Sequence, residues 1–267
     1  MKKEYPDLDV EKQDHIATVT LNAPAKLNAL TREMRSSLVL AQKEIAEDDD
    51  VRVVIVTGAG RGWCSGGDAE EMKQIEAKEI PFSRRELIEQ AGGPSGAFSF
   101  KLDKPVIAAI NGACVGGGFS LALSSDLRIA SEKAKFGMAF VLRGLIPDWG
   151  ATYMLPRTVG MAKAMEIMLI GDMFDAQEAL RLGIVSRVVP HDDLMKEARA
   201  LATRIAQRPP VSVSLIKRIT WKSWLDGFDR HWDLETWAQK ICLDTEDHKA
   251  SAQSFLAKKP LPEFKGK

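Results

Sequence analysis

Along residues 15–22 (HIATVTLN) apolar and polar positions alternate, the period of a strand with one buried face. Thr31 is a good N-cap. The apolar positions Met34, Leu38, Ala41 and Ile45 then recur at helical spacing, which predicts a helix from Arg32 to about Ile45, ended by the acidic run at 48–50. The β-branched run at 51–57 (VRVVIVT) predicts a strand buried on both faces. A glycine-rich turn follows at 58–67, then a helical stretch from about Asp68. Residues 81–96 carry a weak helical pattern that dissolves into Gly92, Gly93, Pro94 and Gly96, a candidate mobile loop. Further strands are predicted at 106–110, 127–130 and 184–189, with an apolar helical segment at 119–123. Asp175-Ala-Gln-Glu178 opens a helix in the manner of a capping box, and Gly183 suits its C-terminal end. Strand, strand and helix thus recur, with glycine turns at strand ends, and the pattern predicts a layered α/β architecture. After Pro209-Pro210 the character changes. Residues 211–257 read as almost continuous helix holding four of the six tryptophans, a stripe suited to core packing or a subunit interface. The chain divides accordingly into a core, 1–208, and a helical C-terminal region, 209–267.

Composition narrows the function classes. The 267 residues are 45% hydrophobic and 28% charged with zero net charge, so nothing points to a nucleic-acid or membrane partner. Cys64, Cys114 and Cys242 show no metal-ligand spacing and suit a reducing compartment, and His15, His191, His231 and His248 are scattered. A metal site is therefore not expected. The N-terminal residues have no apolar run of the signal-peptide kind and no stretch is long enough to span a membrane, so a soluble, cytoplasmic protein is expected.

Two segments carry candidate chemistry: Arg61-Gly-Trp-Cys-Ser-Gly-Gly-Asp68 and Asn111-Gly-Ala-Cys-Val-Gly-Gly-Gly118, each between a strand and a helix. Glycine turns at helix N-termini leave backbone N–H groups unpaired and partly positive. Two such turns could aim one N–H each at a single oxygen, each supplying roughly 3 kcal/mol in a transition state. Glycine turns also cradle phosphates, but neither segment has dinucleotide or P-loop spacing. Tight packing alone is the remaining reading.

Taken in order, several segments resemble the crotonase (enoyl-CoA hydratase/isomerase) superfamily. They are Asn22-Ala-Pro-Ala-Lys-Leu-Asn-Ala-Leu30, Gly62-Trp-Cys-Ser-Gly-Gly-Asp68, Lys104-Pro-Val-Ile-Ala-Ala-Ile-Asn-Gly112, Gly116-Gly-Gly-Phe-Ser-Leu-Ala-Leu123, Asp126-Leu-Arg-Ile-Ala130 and Gly144-Leu-Ile-Pro-Asp-Trp-Gly-Ala-Thr152. The resemblance runs from about Asp14 to Lys267. It implies a spiral of ββα turns with a helical C-terminal trimerisation region, a homotrimer or homohexamer, and an acyl-CoA thioester as substrate. By the same resemblance Ser65 and Gly117 supply the two oxyanion N–H groups. Ala25, Lys26, Leu27, Gly67, Asp68 and Ala69 surround the nucleotide part of coenzyme A, which arrives with the substrate, so no separate cofactor is implied. Lys259, or its neighbour Lys258, matches a basic position that reaches coenzyme A phosphates. The acyl pocket would be lined from residues 81–100 and by Ser120, Phe140 and Trp149.

The chain departs from the hydratases of the family. The two positions where they carry glutamates hold Ser120 and Phe140, which cannot activate water as a carboxylate pair does. The acid in Ile146-Pro-Asp-Trp-Gly150 is Asp148. It could simply cap the helix beginning near Gly150. An aspartate there also resembles the dienoyl-CoA and ring-opening isomerases and the 4-chlorobenzoyl-CoA dehalogenases; the histidine base of the latter has no counterpart between His15 and His191. The expectation is a double-bond isomerase with Asp148 as base, its pKa raised by apolar neighbours. The alternatives are a hydratase or hydrolase using Asp148 to activate water, and a non-catalytic acyl-CoA-binding protein. No Lys/Arg stripe supports the RNA-binding role of one family branch.

Overall fold

The computed structural model of the chain describes residues 2–76 and 102–267. The loop read at 81–96 and the pocket-lining stretch at 81–100 lie outside the described residues. In chain order the elements are β1 (Lys2–Tyr5), β2 (Leu8–Gln13), β3 (Ile16–Leu21), α1 (Arg32–Glu47), β4 (Val53–Gly58), β5 (Gly62–Cys64) and α2 (Ala69–Glu76). Then come β6 (Val106–Ile110), β7 (Ala113–Val115), α3 (Gly117–Leu123), β8 (Leu127–Ser131), β9 (Lys135–Gly137), α4 (Ala151–Val159), α5 (Met161–Ile170), β10 (Met173–Asp175), α6 (Ala176–Arg181) and β11 (Arg187–Val189). Four helices close the chain: α7 (Leu194–Ala206), α8 (Pro210–Lys222), α9 (Phe228–Asp244) and α10 (Glu246–Leu256).

The strands form two sheets. A seven-stranded sheet runs β1-β2-β3-β4-β6-β8-β11, and a four-stranded sheet runs β10-β9-β7-β5. β3, β4, β6, β8 and β11 are parallel neighbours, as are β5, β7 and β9. Each pass of the chain therefore lays one strand in the large sheet (β4, β6, β8) and the next in the small one (β5, β7, β9). The result is a spiral of ββ units, the first two closed by a helix.

The unbroken apolar run of β4 follows from its place in the large sheet. Val54 and Val56 face the main core with Trp63, Cys114 and Phe119, while Val53 and Ile55 face the opposite layer. There α7 lies against the sheet through Leu194, Ala198, Ala202 and Ala206, whose small side chains let the helix approach closely. Thr31 caps α1 by accepting the Met34 N–H at 3.0 Å, and Asp175 caps α6 by accepting the Glu178 N–H at 2.9 Å.

Two expectations need correction. Residues 184–189 do not form one strand: Ile184 and Val185 are buried in a turn, and the strand is Arg187–Val189. The C-terminal helix is not continuous either. It breaks at Gly227, which opens α9, and at Thr245, whose hydroxyl accepts the His248 N–H and opens α10. The tryptophans divide in the same way. Trp221 and Trp224 pack against the core, whereas Trp232 and Trp237 are exposed.

Asp126 fastens the C-terminal region to the core. Its carboxylate accepts the Val106 N–H (2.7 Å) and the Trp221 Nε1–H (2.6 Å), and pairs with the buried Lys217 (2.8 Å). Trp221→Phe keeps an aromatic ring, gives up the fused pyrrole and removes one bond to a charged acceptor. It is expected to cost about 2 kcal/mol of stability, read from urea unfolding midpoints.

Candidate active site

The site is assembled where β5 and β7 end side by side. Cys64 and Cys114 are in register, so Ser65-Gly66-Gly67 and Gly116-Gly117 emerge together. Gly66 has φ +90°, and a side chain there would meet the Val115 carbonyl at 2.8 Å and the Gly117 N–H at 3.1 Å. Only glycine permits that conformation and that contact.

The loop holding Ala25, Lys26 and Leu27 is a 3-10 turn, Pro24–Lys26, ended by Leu27 at φ 51°. It lies against the first glycine turn. Ser65 Oγ donates to Lys26 O (3.1 Å), and the Lys26 ammonium reaches Asp68 at 2.7 Å. Burial opposes charge on Asp68, yet the Lys26 ammonium and the Glu70 N–H hold its carboxyl below the usual range. Ala69 follows as the first residue of α2. Six predicted positions, Ala25, Lys26, Leu27, Gly67, Asp68 and Ala69, therefore form one neighbourhood.

The oxyanion assignment changes in one respect. The Ser65 N–H donates to Leu27 O at 3.0 Å, so it is already engaged and cannot serve as the donor expected. Leu30 pairs with Gly67 in a parallel bridge in which the Leu30 N–H bonds Gly66 O at 2.7 Å, leaving the Gly67 N–H out of the ladder. Among the described residues neither the Gly67 N–H nor the Gly117 N–H, at the first position of α3, has a hydrogen-bond acceptor. These two are the available pair.

Ser120 is fully buried on α3 and bonds back to Gly116 O at 3.3 Å. The Phe140 ring lies 3.9 Å from the point where a Gly116 side chain would begin, so it is an apolar wall of the second turn. The chain then passes through Gly144 (φ +67°) to Pro147, Asp148 and Trp149 before α4. Trp149, at φ 51°, packs against the core. Asp148 does not cap α4 with its side chain: Gly150 is the N-cap, and the Ala151 N–H bonds the Asp148 backbone carbonyl (3.0 Å). The carboxylate is open to solvent, yet neighbouring protein desolvates it enough to raise its pKa, only partly offset by its own backbone N–H. Lys259 is exposed beyond α10, its N–H bonded to Ser254 O, and among the described residues no hydrogen bond or ion pair joins it to the other predicted residues.

Cys64 is unsuited to nucleophilic chemistry because burial pushes its thiol up to about 12, and Cys114 is shifted the same way. No cluster of metal-ligating side chains occurs among the described residues. No helix among them is long and apolar enough to cross a membrane.

The chain from residue 11 to 267 matches the family model described as enoyl-CoA hydratase/isomerase. It belongs to this family. The 1,2-epoxyphenylacetyl-CoA isomerase of Escherichia coli is 37% identical over 94% of this chain and 95% of its own length. The short-chain-enoyl-CoA hydratase of Clostridium acetobutylicum is 35% identical over 99% of this chain and 100% of its own. The crystal structure of an enoyl-CoA hydratase from Bacillus anthracis superposes with a TM-score of 0.89 at 30% identity, covering 98% of this chain and 100% of that one. The fold is the crotonase fold, and the protein is an enzyme of the enoyl-CoA hydratase/isomerase family acting on acyl-CoA thioesters.

Two residues that border the first glycine turn carried no assigned role in the sequence. Asn28 and Asn111 are buried side chains whose amides bind the carbonyls of the first turn. Both stand inside the quoted motifs. Asn111 beside Gly112 was the signal available; Asn28, between Leu27 and Ala29, carried none.

Proposed function

We propose that the enzyme is an enoyl-CoA double-bond isomerase. The observation carrying this reading is the Asp148 carboxylate: it caps no helix, its pKa is raised, and it follows on from the segment whose Phe140 walls the second glycine turn. Phe140 and Ser120 stand where a hydratase would need carboxylates. A relative named for isomerising 1,2-epoxyphenylacetyl-CoA supports the same side.

In this mechanism the thioester oxygen accepts the Gly67 and Gly117 N–H groups. The α-proton becomes acidic because the negative charge left on its removal moves onto that oxygen. Asp148 takes a proton from C2 of a 3-enoyl-CoA and becomes neutral. The resulting dienolate is reprotonated at C4 by the same carboxylic acid. The double bond moves from C3–C4 to C2–C3, and the carboxylate is regenerated. Raising the carboxyl pKa brings it closer to that of the carbon acid and eases the proton abstraction, while the return of the proton to the dienolate stays downhill. The Ala25–Leu27 loop with Asp68 and Ala69 would hold the nucleotide of coenzyme A, with Lys259 meeting its phosphates.

Among the exposed apolar side chains are Met161, Met165, Leu169 and Ile170 on α5 and Phe228, Trp232 and Trp237 on α9. Two different apolar surfaces on one chain suit head-to-tail closure into a homotrimer, or a dimer of trimers.

The reading is tested with 3-hexenoyl-CoA and crotonyl-CoA in separate cuvettes. Conjugated-thioester absorbance should rise from the first with no change of mass. Addition of water to the second, lost in an Asp148 variant, would instead establish the hydratase reading that several relatives' names favour.

A further inference from the structure

We infer that Asn28 and Asn111 form a clamp at the base of β5 and β7 that sets the separation of the two oxyanion donors. They are positioning residues for the chemical step, an inference that rests on the oxyanion reading above. Asn111 lies where the chain leaves β6 for β7. Its Oδ1 accepts the Gly58 N–H at 3.2 Å, and its Nδ2 donates to Gly60 O at 2.9 Å and Gly62 O at 3.2 Å. Asn28 comes from the Ala25–Leu27 side, at φ 56° and fully buried. Its Oδ1 accepts the Ala23 N–H at 2.9 Å, and its Nδ2 donates to Ala59 O at 2.9 Å and Gly62 O at 2.8 Å. One carbonyl, that of Gly62, thus receives both amides, and a carbonyl oxygen has two lone pairs to take them.

The placement gives the clamp mechanical effect. Gly62 is the first residue of β5 and Gly67 lies just past its tip. Asn111 precedes β7 and Gly117 lies just past that tip. Each strand has three residues, roughly 10 Å at ordinary strand rise. A tilt of about 6° at the base then displaces the tip by about 1 Å, enough to cost about 10² in rate when the displaced group must meet a reacting atom. A side chain that only filled space would not need three hydrogen bonds to backbone groups.

Asn28→Gly and Asn111→Ser test this. Glycine suits the left-handed backbone at residue 28 and removes the amide; that variant decides the matter if Asn111→Ser fails to fold. The probe is hexanoyl-CoA carrying ¹³C at the thioester carbonyl, a saturated ester that cannot isomerise. Its C=O infrared stretch, read at saturating enzyme, should fall on binding to the wild type. In the variants most of that lowering should vanish while ester affinity stays within about threefold, and with 3-hexenoyl-CoA kcat should fall about 10²-fold with KM within about threefold. A folded variant that keeps the full infrared shift and the wild-type kcat overturns the clamp. So does one that loses rate and affinity together while ester bound at saturation shows the full shift. Absence of any shift in the wild type overturns the oxyanion reading itself, and the clamp with it.

Discussion

Replacing Asp148 with asparagine should lower kcat for 3-hexenoyl-CoA about 10²–10⁴-fold and leave binding of a saturated CoA ester within about threefold. The amide keeps the size and the local backbone but cannot accept a carbon-bound proton. The pH profile of the wild type provides an independent check. Only the ionised carboxylate is a base, and desolvation raises its pKa. Activity should therefore be lost, as pH falls, at a pH above the ordinary aspartate value of about 3.9. The stability effect has the opposite sense to that of a paired aspartate. A pKa raised in the folded state means that the neutral form is favoured on folding. That contribution is full below the unfolded value and is lost as pH rises through the folded one, so at neutral pH the ionised Asp148 opposes folding. Asp148→Asn should consequently melt no lower than the wild type at pH 7–8, with any advantage vanishing at acid pH. A variant that retains wild-type isomerase turnover would remove Asp148 from the mechanism.

Gly117→Pro should lower kcat about 10²–10³-fold, the usual effect of deleting one oxyanion donor. Proline has no N–H, and the first helical position tolerates it because the N–H there makes no intrahelical bond. Gly117 is that position in α3. The new Cβ would stand 3.0 Å from Leu30 Cδ1, the far end of a side chain that can move. Calorimetry with hexanoyl-CoA and a thermal melt separate loss of the donor from loss of the fold. If turnover survives in a variant that melts normally, the Gly117 N–H does not carry the developing charge.

Much of the fold was legible in the chain because it rests on local chemistry. Residues 53–56 are apolar at every position because β4 is buried on both faces. Thr31 and Asp175 announced their helices because a cap needs only the residues three positions ahead. What escaped was short or cooperative. β5, β7 and β9 have three residues each, too few to show a period, so the second sheet was invisible. Ile184 and Val185 are as apolar as strand residues because they are equally buried, yet the Ser186 N–H bonds Arg128 O from a turn. The C-terminal pattern ran through Gly227 and Thr245 because periodicity does not register a change of helix direction.

The site divides along the same line. Order and spacing of the motifs by themselves determined the family, the two glycine turns and the acid at position 148, since these depend on which residues are present. Which N–H groups remain free was decided only by the tertiary structure. The resemblance pointed to the Ser65 N–H, but Leu27 O takes it, and the Leu30 bridge leaves the Gly67 N–H out of the ladder. A backbone donor is available only if nothing else in the fold accepts from it, and its potential acceptors lie in a loop some forty residues earlier in the chain.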